Sequence, residues 1–287
     1  MKDTRLKLRK LLSSKKYVFA PGAYDCLSAK VIESTGFDAI TMSHTGKHGV
    51  ILGQPDTGLL DINEVTTNLK NVCNAVNIPV IGDAEGGFGN ALNVVRTIRM
   101  FEQAGCAGVF LKDQQQPTTC TYVRNQEVIT AKEMVGKIHA ALDARTDEDM
   151  IIIARTDAPY EEALERAQMY LEEGADMVKI LPKTHEQLVE IPKKINGQLH
   201  LGMLPHTGIA DGLNAKDFGD LGYKIVSYPV SCLLAHTAAI MDYFKYLKEH
   251  DTDEGFPGNF IEFNDYLEFI GVEAIKEASL KYGLDKV

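Results

Sequence analysis

Several features that define large protein classes are absent from this 287-residue sequence. It contains no tryptophan, and no apolar run approaches the roughly 20 residues that a membrane-spanning helix requires. The N-terminal residues are charged and include no apolar signal core, and the formal net charge is −10. The sequence therefore predicts a cytoplasmic protein with no membrane segment and no general affinity for nucleic acid.

Cysteine is scarce and irregularly spaced. The five cysteines, an odd number, form no C-x-x-C pair. They are Cys26, Cys73, Cys106, Cys120 and Cys232. This pattern indicates reduced thiols rather than a disulfide framework or a zinc site.

Internal repeats, low-complexity linkers and the glycine fingerprint of dinucleotide-binding proteins are also missing. The glycine-rich turn at 86–89 reads G-G-F-G, not G-x-G-x-x-G. No acidic residue ends a following strand where a nucleotide ribose would need it. These absences disfavour a doubly wound dinucleotide-binding fold.

The sequence does contain a regular alternation of short apolar runs and amphipathic segments. The apolar runs lie at 18–20, 39–42, 80–82, 108–111, 151–154, 177–180, 199–202 and 224–227. Helical patterns such as 91–103 and 161–173 lie between them, each followed closely by glycine. Eight such units predict an α/β fold of the (β/α)8 TIM-barrel type over residues 1–250, with a doubly wound sheet as the alternative. Residues 251–287 are expected to form a C-terminal helical extension.

Polar residues regularly follow these apolar runs. They are Ser43 and His44, Asp83 and Glu85, Lys112 and Asp113, Arg155 and Asp157, Lys179, and the segment from Met203 to His206. Active sites of such barrels lie at the carboxyl ends of the strands, so these side chains are the candidates for a functional site.

Asp83 and Glu85 are the most informative of these residues. In an extended chain, side chains two residues apart point to the same side. Two carboxylates that close repel each other unless a cation lies between them, and hard divalent cations prefer oxygen ligands. The pair therefore predicts a metal site, with a solvated acidic turn as the alternative.

Five stretches, taken in order, resemble the isocitrate lyase/phosphoenolpyruvate mutase superfamily. They are F-A-P-G-A-Y-D-C-L-S-A-K at 19–30, G-Q-P-D at 53–56, D-A-E-G-G-F-G-N-A-L-N at 83–93, I-A-R-T-D-A at 153–158 and G-Y-K-I-V-S-Y-P-V-S at 222–231. Within the superfamily, the sequence is most similar to the 2-methylisocitrate lyase-like branch, which includes dimethylmalate lyase, oxaloacetate-acting enzymes and phosphonate-pathway mutases. The resemblance implies Mg²⁺ or Mn²⁺, a small carboxylate substrate, an enolpyruvate-like intermediate and a homotetramer with exchanged C-terminal helices.

The resemblance also assigns roles to individual residues. Asp83 matches the metal-binding aspartate, and Glu85 matches the second acidic residue. Arg155 matches the arginine that holds the substrate carboxylate and the enolate oxygen. The remaining substrate-binding positions are Ser43, His44, Thr45, Gly46 and Asp56.

The sequence departs from the superfamily in the loop after the fourth strand. Carbon–carbon lyases carry Lys-Lys/Arg-Cys-Gly-His there, with the cysteine as proton donor, whereas this chain reads T-T-C-T-Y at 118–122. Only Cys120 is kept, so it is either the proton donor or a passive loop residue. Segments 179–183 and 202–205 also lack the lyase pattern, which implies that the distal half of the substrate is held differently.

Lys112 stands where the superfamily has a glutamate of the metal site. Its ammonium would either repel a divalent cation or pair with Asp83 or Glu85 and take the cation's place. A lysine at a strand end can also form a Schiff base, although such lysines are more often ion-pair partners. Lys112 is therefore a catalytic candidate together with Cys120 and Arg155.

These observations predict a carbon–carbon lyase that acts on a 2-hydroxy di- or tricarboxylate of the 2-methylisocitrate or dimethylmalate type. One alternative is an oxaloacetate-type decarboxylase or hydrolase, or a phosphonate-pathway mutase, on the same scaffold. A second alternative is a metal-free carboxylate-binding member with little catalysis.

Overall fold

The computed structural model describes residues 3–124 and 127–284. The chain divides into two compact units, one ending at Leu233 and the other beginning at Leu234. The last three residues of the predicted extension, 285–287, lie outside the described residues.

The first unit is built from short strands, numbered here along the described chain. They are β1 Val18–Phe19, β2 Gly22–Ala23, β3 Ile40–Met42, β4 Val80–Asp83, β5 Gly108–Lys112, β6 Ile151–Thr156, β7 Met177–Ile180, β8 His200–Gly202 and β9 Ile225–Ser227. The helices that accompany them are α1 Thr4–Ser14, α2 Cys26–Ser34, α3 His44–Leu52, α4 Ile62–Ala75, α5 Ala91–Ala104, α6 Ala131–Ala144, α7 Tyr160–Glu172, α8 His185–Lys194 and α9 Ala215–Leu221.

The strands pair in parallel and close into a ring. One run of neighbours is β2-β3-β4-β5-β6-β7, and the other is β1-β9-β8. A parallel bridge between Val178 and Leu199 joins the two runs on one side, and on the other side β1 and β2 are separated only by Ala20 and Pro21. The predicted (β/α)8 barrel is confirmed, with its first strand in two pieces. Gly22 allows the second piece to pass close to Pro229, since a Cβ at residue 22 would lie 2.2 Å from the Pro229 carbonyl oxygen.

The interior of the barrel changes from apolar to charged along its length. Ile81, Phe110, Ile153 and Met177 belong to one buried apolar cluster, which also includes Leu8 of the unpredicted helix α1. Two residues further along these four strands stand Asp83, Lys112, Arg155 and Lys179. Because side chains alternate along a strand, these four also face the interior, at its carboxyl end.

The second unit is helical. Helix α10, Ser231–His250, continues into it from the first unit and is followed by α11 Phe263–Ile270 and α12 Val272–Lys281. None of the 20 residues of α10 is buried in the part of the chain that the structure describes. No described helix is both long enough and apolar enough to cross a membrane.

Candidate active site

Asp83 and Glu85 converge on one cation at the carboxyl end of the barrel. The Lys112 ammonium lies 2.8 Å from Glu85 Oε2 and 3.7 Å from Asp83 Oδ2. The side chains of Lys112 and Glu85 are buried, and that of Asp83 is 13% exposed. The two carboxylates are therefore close together, as the sequence predicted, and an amine rather than open space lies between them.

The reason for this convergence differs from the one expected. Strand β4 ends at Asp83, and Glu85 adopts a left-handed backbone conformation with φ of 53°. The Glu85 backbone N–H donates to Asp83 Oδ1 (3.0 Å), and its carbonyl accepts from the Lys112 N–H (2.8 Å). A turn held by these bonds brings the carboxylates together, and the assumption that residue 85 continues the strand was wrong.

The contacts between Lys112 and the two carboxylates determine the charges of Lys112 and Asp83. Burial opposes ionisation, but the two carboxylates outweigh it and raise the pKa of Lys112. Burial likewise opposes ionisation of Asp83, but nearby cations, Lys112 first among them, hold the pKa of that carboxyl well below its usual range. The structure thus favours an ammonium at Lys112 and a carboxylate at Asp83.

The family's divalent cation does not fit this arrangement as it stands. A cation bound to both Asp83 and Glu85 would lie about 4 Å or less from the Lys112 ammonium and be repelled by several kcal/mol. One oxygen of the Glu85 carboxylate is already engaged, because Thr118 Oγ1 and Lys112 both donate to Glu85 Oε2. His44, Asp83 and Glu85 do offer ligand atoms within 4.8 Å of one another, but Lys112 fills the position between the carboxylates.

The predicted substrate loop at Ser43 to Gly46 is the start of helix α3. Ser43 caps this helix, and its Oγ accepts from the Gly46 N–H at 3.0 Å. His44 Nδ1 lies 3.1 Å from Glu85 Oε1, although the geometry is not that of a hydrogen bond. Burial, followed by the charge of Lys47, lowers the pKa of His44 well below its usual range, so the imidazole is neutral.

Two further side chains of α3 were not predicted as site residues. Lys47 and His48 are both buried, and burial lowers the pKa of Lys47 to about 8. Asp56, which was predicted, is buried beside them: Thr45 Oγ1 donates to its Oδ2 at 3.1 Å, and His48 Nδ1 lies 3.6 Å from its Oδ1. His44 and His48 lie four residues apart, on one face of a helix, and this spacing could have indicated from the sequence that His48 belongs to the site.

Arg155 is held by a carboxylate on its own strand end. Its Nε and Nη2 donate to Asp157 Oδ1 at 3.0 and 2.8 Å. Gln114 Nε2 donates to the other oxygen of Asp157 at 2.7 Å. Because one guanidinium edge is used in this way, the pair fixes the orientation of Arg155 toward the barrel interior, as a carboxylate-binding arginine requires.

The loop that carries Cys120 is attached to the same cluster. Thr119 Oγ1 donates to the Asp56 carbonyl at 2.8 Å, and the Thr119 N–H donates to Gln114 Oε1 at 2.9 Å. The Cys120 N–H also donates to the Asp56 carbonyl, at 3.1 Å, and its side chain is half-buried. The two threonines that replace the family's basic residues therefore bind the loop to the site.

Lys179 and His200 line the barrel interior further around the ring. Lys179 Nζ lies 4.8 Å from the centre of the Phe110 ring, on which the His200 imidazole also stacks. His200 Nε2 is hydrogen-bonded to Ser227 Oγ at 2.8 Å. Sequence analysis named Lys179 as a strand-end residue but missed His200, because a histidine in an apolar run gives no sign of which face it occupies.

Asp113, another strand-end candidate, is tied to the outer helices instead. Its carboxylate is 3.3 Å from Arg166 Nη1 and accepts a hydrogen bond from the Tyr170 hydroxyl at 3.0 Å, both on α7. Its other oxygen accepts the Asp157 N–H at 3.0 Å. Asp113 therefore positions the loop after β6.

A cavity of about 680 Å³ opens beside Asp157, the partner of Arg155. Loops that follow β5, β6, β7 and β8 line it, with Tyr122, Asp157, Lys183 and Thr207 among the lining residues. The loops after β5 and β7 include segments in which the sequence departs from the lyase pattern, 118–122 and 179–183.

Comparison with known proteins finds relatives that match almost the whole chain. The family model described as phosphoenolpyruvate phosphomutase matches residues 8–248. The chain is 40% identical to 2,3-dimethylmalate lyase of Eubacterium barkeri, and the match covers 98% of each chain. A structure of oxaloacetate acetylhydrolase with oxalate has a TM-score of 0.89 at 27% identity and 98% coverage of both chains. Phosphonopyruvate hydrolase with oxalate and Mg²⁺ has a TM-score of 0.86 at 27% identity, covering 97% of this chain and 99% of the other.

A parallel barrel with charged side chains at the carboxyl ends of its strands defines an enzyme of the (β/α)8 class. The match over most of the chain then identifies the group within that class. The chain belongs to the phosphoenolpyruvate phosphomutase family, and the resemblance inferred from its motifs is confirmed.

Proposed function

We propose that this enzyme is a carbon–carbon lyase that cleaves a 2-hydroxy dicarboxylate of the dimethylmalate type to a 2-oxo acid and a shorter carboxylic acid. The observation that carries the proposal is the placement of Arg155 and Lys112 as neighbours in the register of β5 and β6, both facing the barrel interior. Whole-length similarity to a lyase that acts on such a substrate supports the choice of reaction.

The residues present suggest how cleavage would proceed. Arg155 binds the carboxylate next to the hydroxyl-bearing carbon, and the helix start at Ser43 to Gly46 holds the same group. Glu85 Oε1, which accepts no hydrogen bond, takes the hydroxyl proton. The C2–C3 bond then breaks, its electrons move into the second carboxylate as an enolate, and the Lys112 ammonium stabilises that charge.

A proton must then be delivered to the new carbanion. Cys120 is our candidate for this step, since its loop is bound to Asp56 and Gln114 beside the site. A thiol is acidic enough to protonate an enolate carbon. Replacement by serine preserves the size of the side chain, so a large loss of rate in Cys120→Ser on the substrate identified below would support the role.

Mg²⁺ or Mn²⁺ on Asp83 and Glu85 is the metal prediction that the resemblance implies. We propose instead that the Lys112 ammonium occupies that position and balances one of the two carboxylate charges. A related structure holds Mg²⁺ together with oxalate, and Lys112 is the feature of this chain that argues against the same arrangement here. A bound metal would supply an electrophile for the enolate oxygen, and the first experiment below therefore includes arms with and without it.

The decisive experiment is a screen for 2-oxo acid release from 2-hydroxy di- and tricarboxylates, with EDTA or millimolar Mg²⁺ or Mn²⁺. We expect turnover in EDTA and a fall of about 100-fold in kcat/KM for Arg155→Lys, the scale seen when one charge-stabilising donor is lost. Arg99→Lys, an exposed position on α5, is the matched control. Turnover that depends wholly on metal would contradict the role given to Lys112.

A second candidate function is oxaloacetate or phosphonate chemistry. The T-T-C-T-Y loop lacks the residues that flank the lyase cysteine, and the similarity to oxaloacetate acetylhydrolase extends over 98% of both chains. Oxaloacetate and phosphonopyruvate therefore belong in the same screen, with acetate, oxalate, phosphate and pyruvate as separate readouts. Tight binding of these acids without any product would indicate the carboxylate-binding alternative.

Assembly and location remain predictions of this proposal. A homotetramer with exchanged C-terminal helices and a cytoplasmic location are what the resemblance and the composition imply. The division of the chain into a barrel over 1–250 and an extension over 251–287 likewise stays a prediction.

A further inference from the structure

Buried polar atoms without a hydrogen-bond partner are concentrated in one cluster, formed by His44, His48 and Asp56. Within the part of the chain that the structure describes, both ring nitrogens of His44, Nε2 of His48 and Oδ1 of Asp56 are buried and form no hydrogen bond. The three residues are 3%, 0% and 2% exposed, in that order. Buried polar groups in folded proteins are nearly always hydrogen-bonded, so this concentration points to a ligand that binds these atoms.

Asp56 is the member of the cluster that most requires a cation. Thr45 Oγ1 donates to its Oδ2 at 3.1 Å, but its Oδ1 accepts no hydrogen bond. Among the described residues, no lysine or arginine nitrogen lies within 4.0 Å of this carboxylate, unlike the two carboxylates that Lys112 contacts. The ionisable nitrogen within that distance is His48 Nδ1, 3.6 Å from Oδ1. Buried carboxylates are normally paired with a cation or bound to a metal.

Helix α3 places the two histidines as metal ligands. They lie four residues apart on one face of the helix, and their ring centres are 4.7 Å apart. His48 Nδ1 lies 3.2 Å from the His44 carbonyl oxygen, a contact that orients the ring and leaves Nε2 without a partner.

The spacing of the ligand atoms is close to that of a bound ion. His44, His48 and Asp56 each offer one ligand atom, and these atoms lie within 4.8 Å of one another. Ligand atoms about 2.1 Å from one tetrahedral ion lie about 3.4 Å apart, so side-chain rotations that move them by about 1 Å complete the site.

The donor set selects the kind of ion. Imidazole nitrogens suit Zn²⁺ and related transition-metal ions, whereas Mg²⁺ and Ca²⁺ prefer oxygen ligands. Two imidazoles and one carboxylate also form three-ligand zinc sites in which a fourth position stays open.

The charges around the cluster favour a cation as well. Three carboxylates lie in this part of the barrel, those of Asp56, Asp83 and Glu85. Two ammonium groups oppose them, those of Lys47 and Lys112. The local charge is therefore negative by one, three negative charges against two positive ones.

We propose that His44, His48 and Asp56 form a transition-metal site, separate from the one implied by the resemblance, that binds one Zn²⁺ or Co²⁺ ion per chain. The ligands are one nitrogen of each imidazole and a carboxylate oxygen. The Asp56 carbonyl accepts hydrogen bonds from Thr119 Oγ1 and the Cys120 N–H, so an ion that joins Asp56 to α3 also holds the loop that carries Cys120. None of the three ligands exchanges a proton in the proposed lyase reaction, so this inference does not rest on that reaction.

The test is the binding of Co²⁺, a spectroscopic substitute for Zn²⁺, to protein first stripped of metal with EDTA. By equilibrium dialysis and elemental analysis we expect one Co²⁺ per chain, with ligand-field absorption in the visible range and no thiolate charge-transfer band. Millimolar Mg²⁺ should not displace it, since Mg²⁺ does not favour imidazole. A thiolate band, or no bound cobalt at millimolar Co²⁺, would overturn the proposal, and both readouts need only the wild-type protein.

A variant of His48 tests the ligand set. Loss of even an outer partner of a ligand costs 10- to 100-fold in metal affinity, so His48→Gln should weaken Co²⁺ binding by more than about 100-fold. His139→Gln is the matched control, because His139 is an exposed helical histidine 2.9 Å from a Glu173 oxygen, and it should keep the wild-type affinity. Equal affinities of wild type and His48→Gln would refute the site.

Asp83→Asn distinguishes this site from the position between Asp83 and Glu85. Co²⁺ binding that is kept in Asp83→Asn and lost in Asp56→Asn supports the proposal, and the reverse pattern would overturn it by placing the ion on Asp83. The outcome is independent of turnover. Bound Co²⁺ without cleavage of any 2-hydroxy acid keeps the metal site and removes the lyase, whereas cleavage without bound Co²⁺ does the reverse.

Discussion

At the scale of single residues, Lys112 has the largest effect on the chemistry available to this site. The carboxylates of Asp83 and Glu85 are those of a metal-binding family, yet the ammonium between them is attached to the protein. A fixed cation of single charge stabilises an enolate less strongly than a divalent ion does. It also cannot be removed by chelation, so its effect has to be tested by substituting Lys112.

Lys112→Glu should strengthen cation binding at Asp83 and Glu85. Removing the ammonium leaves three acidic side chains in a buried space, so Mn²⁺ or Mg²⁺ should bind and stabilise the folded state. Saturation at about 100 times Kd would add roughly 2.7 kcal/mol to the free energy of unfolding, measurable as a metal-dependent rise in Tm. Lys132→Glu, the same charge change on exposed α6, should show no such rise. Equal stabilisation of wild type and Lys112→Glu would contradict the place given to Lys112.

Lys179 predicts a distinctive dependence of stability on pH. Its folded pKa of about 7 lies below the ordinary value of 10.5, so between these values the unfolded chain binds more protons than the folded one. The free energy of unfolding should therefore rise with pH in that window, by up to about 1.4 kcal/mol per pH unit from this one group. Below pH 7 both states are protonated, so the pH dependence from this group ends and its destabilising effect is at its full size. Denaturant unfolding of Lys179→Met should show a flatter pH profile than wild type, whereas exposed Lys183→Met should match wild type.

The sequence could identify some of these residues and not others, for reasons of geometry. Asp83, Arg155 and Lys179 directly follow apolar runs in a barrel, so their position could be inferred. Lys47 lies in α3, the first helix after β3, and the residue at which this helix begins decides which of its side chains are buried. Ser43 caps that start, and residue spacing alone does not predict the cap. The role of Lys112 was left open, because its ammonium could either repel a divalent cation or pair with the same carboxylates in the cation's place.

At the scale of elements, helices and strands are joined by a few buried polar side chains. Arg166 of α7 lies against Asp113, which follows β5, and also donates to the Ile129 carbonyl at 2.8 Å. Tyr170, one turn later on α7, donates to the same carboxylate. This network holds α7 against the strand ends that carry Lys112 and Arg155.

Arg166→Met should therefore destabilise the fold although it touches no substrate-binding residue. It leaves the buried Asp113 carboxylate without its cation, a change that costs about 3 kcal/mol or more. Chemical denaturation should show the loss, and Glu165→Met on the exposed side of α7 should not. Adding Asp113→Asn to Arg166→Met should restore part of the stability. A double variant less stable than Arg166→Met would mean that the loss arises from packing rather than from the unpaired charge.

Element boundaries show where sequence reasoning reaches its limit. The helix expected at 91–103 is found at Ala91–Ala104, because Asn90 caps its start and Gly105 follows its end. The run at 18–20 was expected to be a strand and forms β1, whereas β2, which follows Pro21, was not expected. Pro21 has no N–H and so cannot donate a ladder hydrogen bond between the two strands. The helix caps could be predicted from the local sequence, whereas the division of a strand depends on the other strands with which each segment pairs.

At the scale of the whole molecule, the two units differ in how much apolar surface they cover. The barrel buries a large core between its strands and helices. The second unit leaves many large apolar side chains exposed in this chain. They include Ile240, Met241, Phe244, Phe260, Ile261, Phe263, Ile275 and Leu280. An exposed apolar surface of this extent is typical of an interface between proteins.

This surface leads to the last prediction, that the chain assembles as a homotetramer through its C-terminal helices. Met241 and Phe244 are 67% and 58% exposed and share one face of α10. Replacing both by glutamate would bury charges in an apolar interface, so light scattering coupled to size exclusion should show smaller species than the wild-type tetramer. His250→Glu adds a negative charge on the opposite face of the helix and should leave the assembly intact. A monomeric wild-type protein, or a double variant that keeps the wild-type mass, would show that this face has no role in assembly.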